Sequence, residues 1–332
     1  MTTRVSRYQP PESKLWQGRT DSPEGASFFQ IIKSLDLFRD KIPVYHAPRF
    51  GLLGFCCDEG IRRNFGRTGA AFGPSCIREI LAKLPVQKRD LICFDVGDIT
   101  CTDGDLESSQ HKLAEAVAIL LQHGITPIVL GGGHELAFGH YQGIATQFAH
   151  ENLGIVNFDA HFDMRPLLSN NLGSSGTPFL QIANAHEHTH RRFDYNCIGI
   201  QYAGNTRQLF ETAKNFHTQI MLADEMHQSS MDKRIDFINR IINDNQIIYL
   251  SLCLDVFAAA YAPGVSAPQP FGLTPWQIVP LIRQLADSGK VVSYDLAELS
   301  PQYDSDYRTA KLAAQFIHEI IHHHQIYAAG KT

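Results

Sequence analysis

From residue 49 onward, short apolar runs alternate with longer stretches whose apolar residues recur every three or four positions. The runs predict strands at Gly51–Cys56, Asp90–Phe94, Thr126–Leu130, Gly154–Phe158, Asn196–Ile200, Gln219–Leu222, Ile247–Asp255 and Val291–Leu296. The stretches between predict helices at Gln110–Gln122, Asp232–Ile242, Pro275–Ala286 and Tyr307–His323. Thr274-Pro275 is a good start signal, a capping hydroxyl followed by proline at the first helical position. In the last helix Leu312, Phe316, Ile317, Ile320 and Ile321 make an apolar stripe able to dock on a sheet. Alternation of strand and helix predicts an α/β fold with a mostly parallel sheet. Residues 1–48, rich in Pro, Gly and polar residues, read as an N-terminal surface arm with one helix over Phe28–Arg39; residues 1–332 otherwise read as a single catalytic domain, with no linker and no internal repeat.

Three of the predicted strands end in chemistry. Asp159, His161 and Asp163 follow the run Leu153-Gly-Ile-Val at alternate positions, so an extended backbone would turn all three to one face. Pro127-Ile-Val-Leu-Gly-Gly-Gly-His134 ends in an imidazole, and Tyr249-Leu-Ser-Leu-Cys253-Leu-Asp255 offers a thiol and a carboxylate at period two. Ionisable groups on an apolar strand end are costly to bury without a cation, because each unpaired charge loses its hydration. Carboxylates and imidazoles converging where open α/β sheets collect ligands suit a two-metal hydrolytic site, in which a water shared by the ions loses a proton near neutral pH. Gly131-Gly-Gly-His134-Glu135 is not a phosphate loop: Leu136 occupies the last glycine position of a dinucleotide fingerprint, and no Gly-Lys-Ser/Thr ending follows.

Composition removes competing classes. The chain has 332 residues, 44% hydrophobic and 19% charged, with a net charge of −5, which leaves no basic footprint for nucleic acid. No apolar run approaches a membrane span and no signal segment precedes the first strand, so a soluble cytoplasmic enzyme is expected. Seven cysteines without a CxxC pair fit reduced thiols in that compartment. The histidine groups His186-Glu-His188-Thr-His190 and His322-His-His324 read as a surface loop and as a cationic helix end.

The ordered motifs Gly131-Gly-Gly-His134-Glu135, Asp159-Ala-His161-Phe-Asp163, Ser251-Leu-Cys253-Leu-Asp255 through Ala262-Pro-Gly264, and Ala297-Glu298-Leu-Ser-Pro301 resemble those of the ureohydrolase (arginase/agmatinase) superfamily. Gly66-Arg-Thr-Gly-Ala-Ala-Phe-Gly-Pro74 with Ile77-Arg78, and Asp95-Val-Gly-Asp98, match as well, so the resemblance spans about residues 15–326. Within it, Trp16-Gln-Gly-Arg-Thr-Asp21, Cys57-Asp-Glu-Gly60 leading to Arg63-Asn64, glycine at 133, Arg165 and Cys253 are similar to the formimidoylglutamase branch, which hydrolyses N-formimidoyl-L-glutamate to L-glutamate and formamide in histidine degradation.

The resemblance implies a three-layer αβα fold, a homo-oligomer and two Mn2+ per subunit, one held by His134, Asp159, Asp163 and Cys253, the other by Asp159, His161, Cys253 and Asp255. It implies catalytic roles for Asp163 and Glu298, the latter facing the substrate amidinium, and substrate binding by Asn64, Glu298 and Arg165, whose planar fork suits a carboxylate. Cys253 stands where most relatives have aspartate, and a disulfide from it to Cys56 or Cys57 would block the site; Ser175 stands where many have histidine. The alternatives are a urea-releasing relative acting on agmatine or guanidinobutyrate, and a metal-depleted relative without catalysis.

Overall fold

In a computed structural model that describes residues 6–21, 23–42 and 49–327, strands that are buried on both sides build the centre of the molecule. The strands are β1 (Tyr8–Gln9), β2 (Ile32–Ser34), β3 (Arg49–Cys56), β4 (Ile92–Thr100), β5 (Thr126–Leu130), β6 (Leu153–Phe158), β7 (Asp194–Ile200), β8 (Gln219–Leu222), β9 (Ile247–Cys253) and β10 (Val291–Ala297). Every residue of β6, β7, β9 and β10 is buried, as expected of parallel strands covered on both faces. Among the described residues they form one sheet in the order β1-β4-β3-β5-β10-β9-β6-β7-β8, with β2 also paired to β4. All pairings are parallel except β1 with β4.

Two apolar clusters fill the space on either side of the sheet. One takes in helices Gly73–Leu81, Met231–Asp244, Pro275–Asp287 and Arg308–His323; the other takes in Leu106–Gln122, Leu136–Gln147, Pro178–His188 and Arg207–Asn215. The result is the expected three-layer αβα arrangement. The start signal at Thr274-Pro275 is realised as a capping box, with Gln277 Oε1 accepting from Thr274 N at 2.8 Å. Motifs distant in sequence meet: the buried Arg78 guanidinium lies 2.9 Å from Asp95 and 2.7 Å from Asp98, tying helix Gly73–Leu81 to β4.

The described part of residues 1–48 departs from a surface arm, the rest of that expectation lying outside the described residues. Trp16, Phe28, Leu35 and Leu37 are buried, and Trp16 Nε1 donates to Asp95 at 2.8 Å. The helix expected over Phe28–Arg39 is a single turn, Phe28–Ile31, after which β2 adds to the sheet edge. The run Ile-Ile-Lys-Ser-Leu fits a strand as well as a helix, and pairing with β4 decides. His186 belongs to helix Pro178–His188 and is buried, its Nδ1 bonded to Arg192 O at 2.7 Å, so the expected surface loop is corrected. The last helix does not end in a fully cationic cluster either: His324 is buried against Tyr294 and Thr126, and burial, with Lys88 nearby, holds its imidazole down at about 3.

Candidate metal centre

Strand order brings the candidate ligands together. His134 follows β5, Glu298 follows β10, Cys253 ends β9, and Asp159 to Asp163 follow β6; these four strands are consecutive neighbours at the middle of the sheet and parallel. Their carboxyl ends open one crevice. Strands β5 and β6 are three steps apart, roughly 14 Å at ordinary strand spacing, so the loops must fold inward for their side chains to touch.

They do touch. His134 Nδ1 lies 3.0 Å from Asp159 Oδ2 and 2.9 Å from Asp163 Oδ2, while His161 Nδ1 lies 3.0 Å from Asp255 Oδ2 and 3.6 Å from Asp159 Oδ1. Ligand atoms of His134, Asp159 and Cys253 form one compact group, and those of Asp159, His161 and Asp255 a second, with Asp159 common to both. The convergence does not come from strand alternation, because β6 ends at Phe158. A loop does it: His161 N donates to Asp159 Oδ1 at 2.8 Å, Asn205 pins Phe162 N and Ala160 O, and Asp163 takes a left-handed backbone at φ 49°. Glu298 is left-handed too, at φ 77°, and accepts from His134 N at 3.0 Å. Such backbone costs about 1–3 kcal/mol per residue and persists where surroundings enforce it, often at functional sites.

Close approach of backbones completes the loop after β5. A Cβ on Gly132 would stand 1.7 Å from Cys57 O, and one on Gly133 would stand 2.0 Å from Glu135 Oε2. Glu135 is fully buried, accepts from Gly60 N at 2.8 Å, and burial raises its carboxyl to about 8.

The electrostatics ask for positive charge. Burial and Asp159 push Asp163 up to about 6, and burial and the same neighbour raise Asp255. Burial would also raise Asp159, but hydrogen bonds from His134 and His161 outweigh it and hold this carboxyl below the usual range. Burial would lower both histidines, yet their carboxylate partners hold them well above the ordinary imidazole value. Burial and then Asp159, Asp255, Glu298 and Asp163 push the Cys253 thiol up. His134 Nδ1 and Asp255 Oδ1 are buried without a properly aligned hydrogen-bond partner. Oxygen, nitrogen and sulfur donors that repel or lack partners fit a pair of divalent cations.

A cavity of about 330 Å3 leads to this cluster, lined by His134, His161, Asp163, Cys253, Asp255 and Glu298 and also by Asn64, Ser175 and Arg165. Arg165 is exposed and makes no side-chain hydrogen bond or ion pair among the described residues. Asn64 Nδ2 reaches Ser175 Oγ at 3.2 Å. A larger depression of about 990 Å3 between Arg7 and Glu115 touches none of the candidate ligands. All seven cysteines are free; Cys57 neighbours Cys101 and Glu135, and the disulfide from Cys253 to Cys56 or Cys57 is not formed.

Sequence reasoning missed the residues behind the ligands. Asn157 Nδ2 donates to Asp159 Oδ2 at 3.1 Å, and Ser251 Oγ lies 2.9 Å from His134 Nε2. Period two was the available signal, since Asn157 precedes Asp159 by two positions and Ser251 precedes Cys253 by two.

A family model described as the arginase family matches residues 48–323. A formimidoylglutamase of Legionella pneumophila (strain Lens) is 45% identical over 322 residues, 96% of this chain and 98% of the relative. One from Geobacillus sp. (strain WCH70) is 41% identical over 324 residues, 96% and 97% of the two chains. Among solved structures, Trypanosoma cruzi formiminoglutamase with Mn2+ superposes with a TM-score of 0.74 at 26% identity, covering 82% of this chain and 92% of that one.

Proposed function

The chain belongs to the arginase family, and from that premise we propose that it hydrolyses N-formimidoyl-L-glutamate to L-glutamate and formamide in histidine degradation. The observation that carries this reading is the single cavity with a cation-seeking floor of carboxylates, imidazoles and thiol beneath a free arginine, Arg165. An amidine joined to a glutamate needs both ends.

His134, Asp159, Asp163 and Cys253 would hold one ion and Asp159, His161, Cys253 and Asp255 the other. Bound there, two divalent cations, manganese in our reading, supply the Lewis acidity that makes water a nucleophile near neutral pH. Arg165 takes a glutamate carboxylate in its guanidinium fork, and Asn64 adds a neutral donor beside it. Glu298 faces the protonated amidine and balances its charge as the carbon becomes tetrahedral. Asp163, which lines the cavity beside the place where water would attack, is placed to accept a proton from the attacking water and return it to the glutamyl nitrogen. Water oxygen joins the formimidoyl carbon, the bond from that carbon to the glutamyl nitrogen breaks, and formamide and glutamate leave. The same reading carries a homo-oligomer in the cytoplasm.

The test is a hydrolysis panel of reduced, manganese-supplied protein against formimidoylglutamate, agmatine, arginine and guanidinobutyrate. Equal amounts of glutamate and formamide from the first compound are expected. Urea from a guanidino compound, with nothing from the first, would transfer the chain to a urea-releasing activity.

A further inference from the structure

Behind the cavity, β9 and β10 carry a buried polar stripe on the face that meets helix Leu136–Gln147. Register pairs Ser251 with Asp295 and Tyr249 with Ser293, and the two-residue period of strands puts all four on one face. These four and His140 of the helix are fully buried. Polar side chains in an apolar layer are costly unless each finds a partner, and well-packed apolar residues would commonly serve stability as well.

Around Asp295 the partners are complete. Its Oδ1 accepts from Ser251 Oγ at 2.6 Å, and its Oδ2 accepts from the Tyr249 hydroxyl and from His140 Nδ1, the latter at 2.7 Å. Ser293 Oγ meets the other ring nitrogen of His140 at 2.5 Å. The stripe reaches the cavity at one point, where Ser251 Oγ lies 2.9 Å from His134 Nε2.

A proton count at that point leaves one arrangement. Ser251 has a single hydroxyl proton, which Asp295 accepts. Its oxygen can therefore only accept from His134, so Nε2 carries hydrogen, and in the neutral imidazole, the form that can bind a cation, the lone pair falls on Nδ1. Nδ1 is the atom aimed at Asp159 and Asp163, buried and without a properly aligned hydrogen bond.

We propose that Asp295, acting through Ser251, sets the tautomer and ring orientation of His134 so that Nδ1 is presented to a divalent cation. Ser251 and Asp295 are positioning residues; neither faces substrate. This rests on the reading that the cavity takes divalent cations. Partners of this kind behind a metal-binding imidazole typically change affinity 10- to 100-fold when removed.

The experiment titrates reduced, metal-free protein with Mn2+ and follows free manganese by electron paramagnetic resonance, so no turnover is needed. Ser251→Ala should weaken one bound ion 10- to 100-fold, with the other and the metal-free melting temperature little changed. Ser251→Thr, which keeps the hydroxyl, should recover tight binding. Tyr249→Phe, which removes a different hydrogen bond to Asp295, should bind within about threefold of the parent, well short of the effect of a lost positioning partner. Unchanged binding by Ser251→Ala overturns the proposal, as does equal weakening in Ser251→Thr or Tyr249→Phe, which would mark general disturbance of the core. A parent protein that takes up no manganese overturns the cation reading itself, and this one with it.

Discussion

Cys253 is where this site departs from a set of hard donors. It is buried among four acidic side chains that all oppose its ionisation, so a cation must provide the compensating charge. A thiolate is softer than a carboxylate and favours zinc or iron over manganese. Cys253→Asp should therefore shift the ratio of manganese to zinc affinity toward manganese by at least about tenfold, about 1.4 kcal/mol. Competition titrations of the two metals check it, and an unchanged ratio would mean that sulfur does not touch the ion. At the mouth, Arg165 has no internal partner to lose. Arg165→Ala should raise KM for formimidoylglutamate about 10- to 100-fold while kcat changes by less than about threefold, because a carboxylate far from the reacting carbon is held alike before and during reaction. Steady-state kinetics decide this; a fall in kcat at constant KM would move Arg165 into the reacting geometry.

Among the elements, the turn after β5 and the end of the last helix make separate demands. Gly132 N donates to Phe55 O at 2.8 Å, and a Cβ there would strike Cys57 O, so the backbones at the ends of β3 and β5 lie too close for a side chain. Gly132→Ala should cost about 2 kcal/mol through forced backbone displacement, read as a lower denaturation midpoint, and weaken metal binding because His134 is two residues on. A fully stable variant would show that the turn relaxes freely. His324 ends the last helix as a buried imidazole held near 3, against an ordinary value of 6.5. Its folded form is neutral, so the contribution to stability is intact above 6.5 and is lost as pH falls below it, where the unfolded chain takes up a proton that the folded chain refuses. Between pH 6.5 and 5.5 the loss should approach about 1 kcal/mol, and His324→Gln should remove that increment from the pH dependence. Urea melts of both proteins at the two pH values give the comparison; parallel curves would contradict it.

At the scale of the molecule, the alternation of apolar runs was enough to read a mostly parallel α/β sheet, the three layers following only from the family resemblance, and β5 and β8 begin and end where the pattern puts them. The short first helix was not legible, because the run Ile31-Ile-Lys-Ser-Leu35 within the expected Phe28–Arg39 helix has no intrinsic preference strong enough to override pairing with β4. Strand order is likewise invisible to periodicity, yet the adjacency of β5, β10, β9 and β6 is what joins His134, Glu298, Cys253 and Asp159. Motif spacing picked out His134, Cys253 and Asp159, and the family resemblance supplied Glu298; spacing attributed the meeting of Asp159, His161 and Asp163 to strand alternation, whereas a loop with left-handed Asp163 and the amide of Asn205 produces it. Ser251 was signalled only by its period-two spacing from Cys253, and Asp295, in an apolar run away from the ligand motifs, shows its part only through its hydrogen bonds.

Among the described residues no helix is long and apolar enough to cross a membrane. The account as a whole rests on cations held at neighbouring strand ends and used to cleave an amidine. Its most direct test adds Mn2+ stepwise to reduced, metal-free protein while bound metal and formamide production from formimidoylglutamate are measured in the same samples. Formamide should be absent without metal and rise to a plateau at two ions per chain. Formamide produced by metal-free protein, or manganese fully bound with no hydrolysis, would contradict the account.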